Sequence, residues 1–144
     1  MLNGKLNLGL IGVGRIGKVH GEHIAYRIPR ARLAAISDVN VNEAKAVGGR
    51  LGINKIEADH HVLLDDPEID AVVICSPTDM HAVMIEEAAS AGKHIFCEKP
   101  MAMNVADCEA MDAACKNAGV VLQIGFVRHF CNEWLKLREL IQSG

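Results

Sequence analysis

The chain of 144 residues has the length of one ordinary domain, is half hydrophobic and carries a formal charge of −3. That balance gives no electrostatic case for nucleic acid, and no segment approaches the ~20 apolar residues that span a bilayer. The start, Met-Leu-Asn-Gly-Lys-Leu, lacks the parts of a secretion signal, and Cys75, Cys97, Cys108, Cys115 and Cys131 form neither an even set nor a C-x-x-C pair, so reduced thiols and a cytoplasmic setting are expected.

Short, continuous apolar runs alternate with segments of helical period. Residues 6–11 read as the first strand, and Gly12, Gly14 and Gly17 follow it in the spacing G-x-G-x-x-G. Gly12 permits a tight turn, Gly14 lets backbone approach a pyrophosphate, and Gly17 lets helix and strand pack closely. Arg15 and Ile16 fall inside this loop on the cofactor side, Arg15 as a phosphate contact or else a solvated side chain, and the helix over 16–27 presents amides and a dipole that favour an anion. A second strand over 32–37 ends at Asp38, 21 residues after Gly17. An acidic side chain there accepts hydrogen bonds from the adenosine ribose of NAD and repels the 2′-phosphate of NADP, so NAD is the preferred cofactor. The alternative is a turn or capping aspartate.

A helix over 41–51, a weak strand over 55–58 and a strand over 71–75 come next. Ser76, Pro77 and Thr78 follow, where an open α/β sheet lines its ligand crevice, with His81 at the start of a helix over 81–91. Taken locally, the same residues read as an ordinary Ser-Pro turn. The strand over 94–97 delivers Glu98, Lys99 and Pro100 to the same edge. A lysine ammonium there can hold a substrate hydroxyl and stabilise charge developing on its oxygen. A helix over 105–118, a strand over 120–125 and a last helix over 132–142 complete the pattern. Asn104 and Asp107 mark a helix start, and Gly92 and Gly119 mark helix ends. Strands of this kind are covered on both faces. The expected fold is therefore one α/β dinucleotide-binding domain over 1–144, a doubly wound parallel Rossmann sheet in the order 3-2-1-4-5-6 with helices on both faces.

Histidines give no metal site by sequence. His20 and His23 bracket one helical turn without a third ligand, and His60-His61 is too local to join them. Trp134, Leu137, Leu140 and Ile141 recur at helical spacing and read as a packing stripe, which a homo-oligomer can cover.

Gly12 to Gly17, the segment Ser76 to His81 and above all Gly-Lys-His-Ile-Phe-Cys-Glu-Lys-Pro resemble the glucose–fructose oxidoreductase/inositol dehydrogenase/MocA family. Gln-Ile-Gly-Phe-Val-Arg-His-Phe after the sixth strand is most similar to its inositol 2-dehydrogenase branch. The resemblance implies that Lys99 is a catalytic-site residue and that Glu98 lies by the nicotinamide ribose. It implies oxidation of a sugar or polyol secondary alcohol, with hydroxyl deprotonation and hydride transfer to NAD. Arg128 is the matching substrate-side residue, whereas His129 and Cys131 depart from the family's arginine and aspartate. Relatives also continue into an α/β domain that supplies the proton acceptor. This sequence stops before it, so a chain incomplete for catalysis is expected. The other reading is a non-catalytic dinucleotide-binding or assembly module.

Overall fold

The computed structural model describes residues 4–144, so residues 1–3 of the N-terminal reading lie outside it. Six strands, β1 (Leu6–Ile11), β2 (Ala31–Ser37), β3 (Ile56–Glu57), β4 (Ala71–Ile74), β5 (His94–Cys97) and β6 (Leu122–Ile124), form one sheet in the order β3-β2-β1-β4-β5-β6. Every neighbouring pair is parallel. Helices α1 (Arg15–Arg27), α2 (Val41–Leu51), α3 (His61–Leu64), α4 (His81–Ser90), α5 (Val105–Ala118) and α6 (Asn132–Ser143) complete the described chain, with two short 3-10 turns at Thr78–Met80 and Val127–His129.

The uninterrupted apolar strands follow from two covered faces. Successive side chains of a strand point to opposite sides. Thus Val72 and Ile74 of β4 enter the cluster built with Leu63, Ile85, Ala88 and Met111, while Val73 between them enters the cluster built with Ile24, Ala44 and Val47. Leu10 and Ile11 divide in the same way. All but Val73, at 6% exposure, are at most 4% exposed, and burial of a Val, Leu or Ile side chain contributes about 1.5–3 kcal/mol. Helices α1 and α2 therefore cover one face, and α3, α4 and α5 the other. The chain reverses direction across the sheet between β1 and β4, whose residues Leu8 to Ile11 pair with Ala71 to Ile74. A doubly wound sheet binds its ligands beside that point, at the carboxyl ends of the strands.

Local chemistry explains where helices begin and end. The Asn40 side chain accepts from the Glu43 amide at the start of α2. Asn104 accepts from the Asp107 amide at 2.9 Å and donates to the Asp107 carboxylate at 2.8 Å. Gly119 closes α5 in the left-handed conformation, and Gly92 at φ 70° follows α4. Among the described residues no helix is long and apolar enough to cross a membrane.

The last helix is the least buried of the described α-helices. Trp134, Leu137, Leu140 and Ile141 are 44%, 46%, 57% and 72% exposed, and α6 buries no residue. The stripe read as packing has no covering surface among the described residues, because α6 leaves the sheet after β6 and joins neither core cluster.

Candidate functional site

The turn from β1 into α1 admits only glycine at two positions. Gly12 has φ 90°, and a Cβ built on it would lie 2.8 Å from the Cys75 carbonyl carbon and oxygen. A Cβ on Gly17 would lie 2.0 Å from the Gly12 carbonyl oxygen, so this residue packs the helix against its own entry loop. Gly14 is the N-cap of α1, no side chain caps that terminus, and a Cβ there would meet nothing within 4 Å. The orphan amides of the first turn thus face open space, as an anion site requires. Arg15 and Ile16 are exposed beside them.

Asp38 leaves the end of β2 toward this loop. One carboxylate oxygen accepts from the Val13 amide at 2.7 Å and the other from the Asn40 amide at 2.8 Å. The carboxylate therefore ties the glycine loop to the start of α2. Each oxygen keeps a further lone pair for a ligand hydroxyl.

The ends of β4 and β5 are joined from behind. His81 is 1% exposed, with Nδ1 2.9 Å from the Pro100 carbonyl oxygen and Nε2 3.1 Å from the Ser76 carbonyl oxygen. Carbonyls only accept, so a neutral ring serves one contact and an imidazolium both. Either way, His81 touches the backbone of the two loops and offers no exposed face to a cofactor. Ser76 Oγ is buried with no hydrogen-bond partner among the described residues, while Pro77 is exposed and Thr78 half-buried. The Lys99–Pro100 peptide bond is cis.

Glu98 and Lys99 occupy the edge itself. The Glu98 amide donates to the Ile74 carbonyl at 2.9 Å, extending the sheet one residue beyond β5. Its carboxylate is held at both oxygens, by the Lys99 amide at 3.1 Å and by His20 Nε2 at 2.7 Å. The His20 ring also meets Phe96 edge-on at 5.2 Å. Gly125, just past β6, makes room for this group, since a Cβ there would lie 3.0 Å from Phe96 and 3.3 Å from Glu98. Lys99 is exposed. By sequence His20 stood out only as a metal-ligand candidate lacking a third ligand. Its partner Glu98 lies 78 residues away, so no local signal in the sequence pointed to this pairing.

Arg128 lies on the turn just after β6, the strand paired with β5. Its guanidinium stacks over the Trp134 ring at 4.5 Å, on the turn leading to α6. The five cysteines are free. Burial, reinforced by the Glu98 charge, pushes the Cys75 and Cys97 thiols up to about 12. They are protonated near neutrality and serve as packing groups rather than nucleophiles.

Comparison with known proteins agrees with this geometry. Residues 6–126 match the oxidoreductase family GFO_IDH_MocA, NAD-binding Rossmann fold. The chain is 45% identical, over 94% of its length, to the uncharacterised oxidoreductase YrbE of Bacillus subtilis, and 41% identical, over 96%, to myo-inositol 2-dehydrogenase of Thermotoga maritima. It spans 40% and 41% of those two proteins. The structure of scyllo-inositol dehydrogenase from Lactobacillus casei with bound NAD(H) and scyllo-inositol superposes with a TM-score of 0.91 at 32% identity, over 97% of this chain and 42% of that one. The chain belongs to the Gfo/Idh/MocA oxidoreductase family and comprises its NAD-binding Rossmann fold.

Proposed function

We propose that this chain holds NAD, in preference to NADP, for the reversible oxidation of a secondary alcohol on an inositol-like polyol or sugar. The observation that carries the reading is convergence: the glycine loop, Asp38, Ser76 to Thr78 and Glu98-Lys99 all emerge at the carboxyl ends of β1, β2, β4 and β5. The residues fit a dinucleotide. The α1 terminus is uncapped above an open Gly14, and Ser76 Oγ is buried without a partner, a state that costs about 1–3 kcal/mol until a rotamer change or a ligand satisfies it.

In this reading the amides from Gly12 to Gly17 hold the pyrophosphate, with Arg15 and Ile16 at its flank. Asp38 accepts from the adenosine ribose hydroxyls and disfavours a 2′-phosphate by charge. Ser76, Pro77 and Thr78 line the central crevice, and His81 acts on it through the Ser76 and Pro100 carbonyls. Glu98 takes the nicotinamide ribose. Lys99 holds the substrate hydroxyl and stabilises negative charge on its oxygen, with Arg128 on the substrate side. Bound NAD supplies the hydride acceptor. The substrate and activity of the whole protein belong to the proposal, because the matched relatives are more than twice as long. A cytoplasmic setting is part of it and is supported by five free thiols.

Calorimetric titration with NAD and NADP tests the cofactor reading. NAD should bind saturably below millimolar and NADP at least about tenfold more weakly, a difference of about 1.4 kcal/mol. Equal affinities would remove the role assigned to Asp38, and no binding of either would remove the cofactor site.

A further inference from the structure

The histidine pair where the chain passes from β3 into α3 makes a second constellation that the dinucleotide reading does not use. His60 and His61 sit at the start of α3 with their rings stacked, centroids 4.2 Å apart and 32° between planes. Two carboxylates flank opposite edges of that stack. Glu87 of α4 faces the Nε2 edge, at 2.8 Å from His60 and 3.3 Å from His61. Asp59 faces the Nδ1 edge, its Oδ1 lying 2.6 Å from His61 and 3.9 Å from His60.

A carboxylate only accepts, so the 2.8 Å contact with Glu87 places a hydrogen on His60 Nε2, and in the neutral ring His60 Nδ1 is left with a lone pair. His61 Nδ1 and Asp59 Oδ1, 2.6 Å apart, share a proton that a bound metal would displace. Both Nδ1 atoms and the Asp59 oxygen therefore lie at one edge of the ring stack. We propose that Asp59 Oδ1, His60 Nδ1 and His61 Nδ1 form a binding site for a divalent transition metal of the zinc class, with Glu87 as the carboxylate behind both ligating imidazoles.

Three features support the metal. Imidazole pairs with one carboxylate suit zinc, whose Zn–N distances of about 2.0–2.1 Å place tetrahedral ligand atoms about 3.4 Å apart. The potential ligand atoms here all lie within 4.8 Å of one another, and the two Asp59 separations bracket that value. Metal-bound histidines commonly donate their other ring N–H to a carboxylate, the position Glu87 occupies. The Asp59 oxygen is already oriented by the His61 amide at 2.9 Å. With half-exposed His61 and exposed Asp59 as ligands, the fourth position is open to water.

The test is zinc titration of the tag-free chain by calorimetry, joined to long-range proton–nitrogen spectra of its histidines. One equivalent should bind at micromolar affinity. His61→Ala and Asp59→Asn should each weaken it at least about tenfold, and Glu87→Gln by about tenfold through loss of one accepting oxygen. His23→Ala, at an exposed histidine outside the cluster, should change nothing. The spectra should show zinc at Nδ1 of both residues with Nε2 still protonated. Far-UV circular dichroism confirms that each variant is folded. Absence of binding at millimolar zinc, binding indifferent to both His61→Ala and Asp59→Asn, or coordination through Nε2 would overturn the proposal and leave the cluster a hydrogen-bonded clasp between α3 and α4.

Discussion

Asp38 shows how one side chain can serve the fold and the cofactor at once. Its two oxygens already accept from the Val13 and Asn40 amides, so removing the carboxylate leaves those amides without their partner. Hydrogen bonds to a charged group are worth about 1.5–3 kcal/mol. Asp38→Ala should therefore lower stability by about 2 kcal/mol in urea unfolding, besides weakening NAD and narrowing the gap to NADP. Unchanged stability would mean that the carboxylate does not organise the loop. His20 makes the complementary case. Its pairing with Glu98 joins residues 78 apart in sequence, so no local pattern announces it. The glycines were legible because steric rules act within a few residues, as the 2.0 Å approach of a Gly17 Cβ to Gly12 shows. His20→Ala should keep the fold but shift the Lys99 amide resonance, because it removes the donor to the carboxylate that this amide contacts at 3.1 Å. An unmoved Lys99 signal would show that His20 does not position that edge.

The elements were readable in proportion to their length and burial. β1 and β5, and helices over 41–51 and 105–118, fall where apolar runs and capping residues place them. β6 is shorter than its apolar run because only Leu122 to Ile124 pair with β5. α3 escaped notice, since four residues, His-Val-Leu-Leu, are too few to show a helical period. Its place is fixed instead by Leu63 and Leu64, buried in the core cluster. Caps are the most local signals of all. Asn104→Ala removes both contacts with Asp107 and should cost about 1 kcal/mol in chemical denaturation. A loss below a few tenths would show that α5 is held by packing alone.

The molecule as a whole is stapled across its loops by buried or bridged polar groups. Lys55 binds Asp66 at 2.7 Å, and buried Lys93 donates to the Asp66 and Ile69 carbonyls. The Lys55 ammonium, followed by the Glu68 amide, holds the Asp66 carboxyl below its ordinary 3.8. A carboxyl depressed by folding contributes stability above its unfolded value, and that contribution is lost as pH falls through the folded value. The native chain should lose stability below about pH 4 more steeply than Asp66→Asn, as measured by thermal unfolding across pH. Parallel curves would show that the bridge adds nothing.

The exposed α6 stripe has a molecular consequence too. Contiguous apolar surface of this kind favours association. The chain should self-associate with rising concentration in sedimentation, and the pair Leu137→Glu and Ile141→Glu should keep it monomeric. Helical spacing identifies an apolar stripe without identifying what covers it.

The central claim is that the carboxyl ends of β1, β2, β4 and β5 form one dinucleotide site. Adding NAD to the isotope-labelled chain and following every backbone amide tests it most directly. The largest shifts should map to residues 12–17, to Asp38, to Ser76 and Thr78, and to Glu98 and Lys99, while Asp59, His60 and His61 stay unmoved. Shifts confined to other surfaces, or none at millimolar NAD, would contradict it.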